Sequence, residues 1–243
     1  MNPKNHPSDW NARTSEVLAL IAKGRKRTNL LRGAEQKAIA WLVQKVPAWM
    51  SSDMLSAIGF FGSFMVFGSF LLAGWLQRPL LLLGVAGFLI SWIGDSLDGR
   101  LAYYRRIPRK WYGFTLDITI DWLSIILIGA GFILYVDGPW ELAGYCFVVM
   151  YGWEIILALI RYRITNEYSI DSGIMGPTEV RIIVSSILVA EVIWPGSIHY
   201  VSVFVCLALL AVNILDSYKL LAVADKKDLE EKHAQNREGL EQM

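Results

Sequence analysis

The chain has 243 residues, 54% of them hydrophobic and 12% aromatic, with a formal net charge of +1 and a mean hydropathy of +0.40. An apolar share above the ~45–50% usual for soluble domains argues against a soluble globular protein, and nucleic acid is not an expected partner. Cys146 and Cys206 both lie in apolar runs outside any Cys-x-x-Cys or Cys/His pattern, so neither a disulfide framework nor a zinc site is expected.

No signal peptide is expected, because the first 50 residues are polar and of mixed charge, and no solenoid or propeller period is present. The pattern is that of an all-α integral membrane protein: six transmembrane helices preceded by N-terminal interfacial amphipathic helices. Residues 1–50 form the N-terminal segment, 51–222 the membrane domain and 223–243 a charged tail.

Residues 1–12, with two prolines and three asparagines, are expected to be loosely ordered. Residues 13–33 interleave Leu18, Leu20, Ile21, Leu30 and Leu31 with Lys23, Arg25, Lys26, Arg27 and Arg32. That suits either a basic amphipathic helix on an anionic membrane surface or a helix docked on the rest of the chain. Residues 34–46 place Ile39, Leu42, Val43 and Val46 at three- and four-residue steps, which predicts a second interfacial helix flanked by Trp41 and Trp49 and stopped by Pro47. Ser51 or Ser52 caps the next helix.

The first predicted span is 54–76, since ~20 apolar residues cross the ~30 Å hydrocarbon core. Gly59, Gly62, Gly68 and Gly74 lie in it, small residues that let helices approach closely. After the Arg78-Pro79 turn, the second span runs from about residue 80 to the acidic stretch at 94–98. The third covers 113–135 and is followed by the turn Asp137-Gly138-Pro139. The fourth covers 140–160, the fifth 180–194 and the sixth 198–221, with a polar segment at 161–179 and a solvated tail from Asp225. Six spans put both ends on one side of the membrane. That side would hold 22 of the 23 Lys and Arg residues, Arg78 being the exception. By the positive-inside rule it is the cytoplasmic side.

The chemistry is concentrated in residues 94–121, GDSLDGRLAYYRRIPRKWYGFTLDITID. Asp95 and Asp98 share one helix face, as do Asp117 and Asp121, because positions three and four apart are neighbours on a helix. A carboxylate inside an apolar run costs roughly 3 kcal/mol on insertion scales, so four of them imply a function. Brought together across two helices, they offer the oxygen donors that suit hard divalent cations, Mg²⁺ or Mn²⁺.

This stretch resembles the signature of the CDP-alcohol phosphotransferases, D-x-x-D-G-x-x-A-R followed after eight or nine residues by G-x-x-x-D-x-x-x-D. Asp95, Asp98, Gly99, Ala102, Gly113, Asp117 and Asp121 fall in register, and Tyr103 stands where the family has Arg. The resemblance implies a membrane enzyme of phospholipid synthesis that transfers a phosphoalcohol group from a CDP-linked donor to a hydroxyl and releases CMP. It implies Asp95, Asp98 and Asp117 as metal ligands, with Asp121 beside the metals as general base. Gly99, Ala102 and Gly113 would line the cytidine site; the alternative for these small residues is close helix packing. Arg105 and Arg106 are the expected replacements for the family arginine. Members of the family are often dimers, so a homodimer is a further expectation.

The acceptor has two contrary indications. Arg161, Arg163 and Arg181 would suit a phosphorylated alcohol, because arginine pairs well with phosphate; they would equally serve as positive-inside anchors. Gly176-Pro177-Thr178-Glu179 resembles a segment of the choline and ethanolamine phosphotransferases, which join a CDP-aminoalcohol to a diglyceride. A non-catalytic scaffold and a transporter with an acidic metal site are the readings outside this enzyme class.

Overall fold

The computed structural model describes residues 31–166 and 176–241. Among them there is helix and connecting turn and no strand. Seven α-helices follow one another: α1 Arg32–Val43, α2 Ser52–Trp75, α3 Leu82–Tyr104, α4 Lys110–Tyr135, α5 Glu141–Thr165, α6 Pro177–Ile193 and α7 Ser197–Glu241. Short 3-10 turns at Arg78–Leu81 and Gly138–Trp140 join α2 to α3 and α4 to α5. Except for its last three positions, the helix expected over 13–33 lies outside the described residues, as do residues 1–12 and 167–175.

Five helices, α2, α3, α4, α5 and α7, are long and apolar enough to cross a membrane, an arrangement compatible with a multi-pass membrane protein. The exception is α6, expected as the fifth span. Its 17 residues rise ~1.5 Å each, about 25 Å in all against a core of ~30 Å. It also carries Glu179, Arg181 and Glu191, each engaged inside the protein. Glu191 is 2% exposed. Its carboxylate accepts from the amides of Gly196 and Ile198, both at 3.0 Å, and from the Tyr135 hydroxyl at 3.1 Å. Arg78 lies 3.6 Å away. One side chain thus satisfies the otherwise unpaired amides at the start of α7 and ties α4, α6 and α7 together at that end.

The most extensive contact is α2 on α3, and glycine makes it possible. A methyl group at Gly62 would stand 2.5 Å from both the Gly87 carbonyl oxygen and the Ser91 amide nitrogen. One at Gly94 would overlap the backbone of Gly59. The helices therefore cross backbone against backbone, as small residues allow. Of the four glycines expected to serve packing in the first span, Gly59 and Gly62 do so. Gly68 faces open space, and Gly74 would make only ordinary contact. Ser51 begins α2 as expected, accepting the Met54 amide at 3.1 Å.

Helix α1 buries Ile39, Ala40 and Val43 against Leu55, Leu97 and Leu101; Trp41 on it and Trp49 in the turn after it are exposed. The three- and four-residue spacing thus marks its inner face correctly. Its start is tied to α6 by the Leu31 amide, which donates to Glu179 at 2.9 Å.

Helices α5 and α7 run parallel at a constant offset of 63 residues. Cys206 Sγ reaches the Ala143 carbonyl at 3.3 Å, Asn213 Nδ2 the Met150 carbonyl at 2.8 Å, and Lys227 Nζ the Ile164 carbonyl at 2.6 Å. These positions, with buried Leu157 and Leu220 between them, advance in sevens, the repeat of a left-handed helix pair. The polar tail continues α7 as helix to Glu241.

The glycine crossing makes a direct prediction. Gly62→Ala is expected to destabilise the protein by about 1–3 kcal/mol, the usual cost of overpacking. Gly68→Ala, with no neighbour within 4 Å, should leave stability unchanged or raise it, alanine being the better helix former. Thermal unfolding of both variants in one detergent checks this.

Candidate functional site

The crossing that brings Gly94 onto Gly59 also fixes the residue after Gly94. Asp95 and Asp98 project from the last turns of α3, and Asp117 and Asp121 from the first half of α4. All four line one recess with Ser56 of α2 and Arg181 of α6. Carboxylate oxygens of Asp95, Asp117 and Asp121 lie within 4.8 Å of one another. Oxygens around a single Mg²⁺ stand at most about 4.2 Å apart, twice the metal–oxygen distance of ~2.1 Å. The three carboxylates therefore fit a hard divalent cation after a small inward movement, and the donors are of the right kind. Asp98 stands to one side of this trio. Its Oδ2 accepts the Ser56 hydroxyl at 2.6 Å, and its Oδ1 accepts the Gly99 amide.

The residues expected around the carboxylates divide. A Cβ at Gly99 or Gly113 would meet nothing within 4 Å. Packing does not demand glycine at either place, in contrast to Gly59, Gly62, Gly87 and Gly94. Ala102 is half-buried. Arg105 is turned away from the acids. Its guanidinium donates to the Met50 carbonyl at 2.5 Å and to the Pro47 carbonyl at 2.8 Å. It thereby holds the link between α1 and α2. Arg106 is exposed, with a left-handed backbone at φ 58°.

The three acceptor arginines also separate. Arg161 pairs with buried Asp216 of α7 at 3.2 Å, and Arg163 is exposed. Only Arg181 enters the aspartate recess, where Nη1 lies 2.7 Å from Asp95 Oδ2. The Gly176-Pro177-Thr178-Glu179 segment has internal duties. Thr178 Oγ1 accepts the Trp92 indole N–H at 3.2 Å, and Glu179 reaches back to the Gly176 amide at 3.0 Å, as a residue at the third helical position does in a capping box.

Two neighbours of the site were not expected from the sequence. Ser56 is one serine among several in an apolar helix and is not among the expected site residues. Tyr151 of α5 lies within electrostatic reach of Asp121, Arg181 and Asp95, yet reads as an ordinary aromatic residue in a span. No protein-family model and no curated protein matches the chain.

The placement of the arginines is testable. Arg105→Ala removes two hydrogen bonds from a charged donor, each worth about 1.5–3 kcal/mol, and should lower the unfolding midpoint clearly. Arg106→Ala should stay within about 0.5 kcal/mol of the parent, as surface changes do. Equal effects from the two substitutions in an unfolding titration would contradict the assignment.

Proposed function

We propose that the protein is an integral membrane enzyme that transfers a phosphoalcohol group from a CDP-linked donor, CDP-diacylglycerol first among them, to the hydroxyl of an acceptor alcohol. CMP is released, and Mg²⁺ or Mn²⁺ is required. The observation that carries this reading is the meeting of all four aspartates of the 94–121 stretch at one recess, three of them within 4.8 Å. A structural role for the acids would not call for such convergence in an apolar setting, where each is costly.

The residues then divide the chemistry among them. Asp95 and Asp117, which converge with Asp121 within 4.8 Å, would hold the cation, and Asp98, now bonded to Ser56 at the side of the trio, would join them by turning inward. Bound there, a divalent cation neutralises charge that develops on the pyrophosphate. Asp121 takes the acceptor's hydroxyl proton, which requires an approach within ~3 Å or through one water. The acceptor oxygen forms its bond to phosphorus as the bond from phosphorus to the CMP oxygen breaks, and CMP leaves with that electron pair. Gly99 and Gly113, facing open space, give a flat base or a phosphate access to the helix backbone. Arg181, not Arg105 or Arg106, is the cation positioned to meet phosphate in place of the arginine absent at Tyr103.

In this reading α6 is a sixth, short crossing. It packs against α3 and α7, which shields its charges from lipid. Both chain ends and the recess then lie on the side with 22 of the 23 Lys and Arg residues, the cytoplasmic side by the positive-inside rule. Helix α1 lies at the membrane surface, with Trp41 and Trp49 outward. Thr178 and Glu179 are engaged in hydrogen bonds within the fold, so their segment lends no weight to a CDP-aminoalcohol donor.

The test is release of CMP by purified protein supplied with CDP-diacylglycerol or CDP-choline and a panel of acceptor alcohols. Release that stops on chelation and returns with Mg²⁺ or Mn²⁺ is expected. No CMP from any donor would sink the proposal and favour a scaffold or transporter. Asp121→Asn is expected to lower kcat by about 10²–10⁴, the usual contribution of a general base, while metal-dependent CMP binding persists. Loss of that binding would make Asp121 a ligand instead.

A further inference from the structure

We infer that Arg181 and a divalent cation compete for the carboxylate of Asp95, so that the guanidinium turns to an anionic substrate group only as the cation takes its place. This rests on the reading of the recess as a metal site. Asp95 Oδ2 holds Arg181 Nη1 at 2.7 Å, with the side chains 17% exposed for Arg181 and 24% for Asp95. Asp95 is also one of the three carboxylates that converge within 4.8 Å. A cation ~2.1 Å from a carboxylate that also holds a guanidinium brings two positive centres close together, which weakens the hold of each. A dication shared by three carboxylates outweighs one guanidinium on one carboxylate.

The surroundings decide where Arg181 goes next. Its helix is held to α3 one turn earlier, where the Trp92 indole N–H meets Thr178 at 3.2 Å. The backbone at Arg181 therefore stays beside the recess when the side chain leaves Asp95. Asp121 and Tyr151 also act on it electrostatically. A guanidinium has five N–H donors in a planar fork and no acceptor. Its best-matched new partner is a phosphate group, which it binds through two parallel bonds. Cation and phosphate would then favour one another's binding by equal factors, as linkage requires, and the cation would bind first.

The experiment is titration of purified protein in detergent with Mn²⁺ alone, followed by calorimetry or by the electron spin signal of free Mn²⁺. Arg181→Gln is expected to bind Mn²⁺ about tenfold more tightly than the parent, a charge-assisted hydrogen bond having been removed from a ligand. Arg181→Lys should fall between the two, and supplies the comparison by itself if the glutamine variant does not fold. Unchanged or weaker Mn²⁺ binding in the folded variants overturns the competition. Asp117→Asn distinguishes the two ways of failing. If it leaves the parent isotherm unaltered, the metal reading fails and the competition with it. If it abolishes binding while the Arg181 variants match the parent, only the competition fails.

Discussion

The crossing of α2 on α3 sets the position of nearly everything else. At Gly59, Gly62, Gly87 and Gly94 the helices touch through backbone atoms, a separation that any side chain would widen. Asp95 follows Gly94 directly, and the Ser56 hydroxyl is close enough to bond Asp98 only because α2 lies so near. In a bilayer this closeness has no hydrophobic drive behind it, since lipid tails are as apolar as leucine; van der Waals contact and polar bonds between helices must supply the attraction. The site is therefore as well ordered as the crossing beneath it. The α3–α4 connection is braced from the same side by Arg109, which pairs with Asp53 at the start of α2.

A second constraint governs the ionised groups among the apolar helices. Charges in apolar surroundings persist where they find partners inside the protein. Glu191 gathers amides and a tyrosine hydroxyl, Asp216 holds Arg161, and Asp95 holds Arg181. The first two are closed structural arrangements with the carboxylate almost fully buried. The third differs: its partners line an accessible recess together with three more acids. That contrast separates the aspartate site from the other buried charges.

Much of this was readable in the residues. Apolar runs and the turns at Arg78-Pro79 and Asp137-Gly138-Pro139 located the long helices, because length and hydropathy are local properties. The i, i+3 and i, i+4 spacing of the four aspartates placed each pair on one face, and two helices sufficed to bring the pairs together. Arginine destinations were not readable. Arg105 lies within the 94–121 stretch but turns to the carbonyls of Pro47 and Met50, whereas Arg181 arrives from a helix 60 positions beyond Asp121. Such partnerships depend on which helix packs beside which. The expected fifth span, 180–194, nearly coincides with α6, but the partners of its charges were similarly hidden. Gly99 and Gly113 show the same limit in reverse, because only the fold distinguishes a glycine needed for packing from one that faces open space.

The seven-step register between α5 and α7 makes that pair intolerant of phase errors. Each residue of an α-helix turns through about 100°. Deleting one residue of α7 between Cys206 and Asn213 would swing Asn213 and Asp216 off the seam, while outward-facing Ile214 rotated in. A change of seven would preserve the face but move every rung by a full repeat. Insertions and deletions would thus be borne by the connecting turns, and the pair has a single permitted phase.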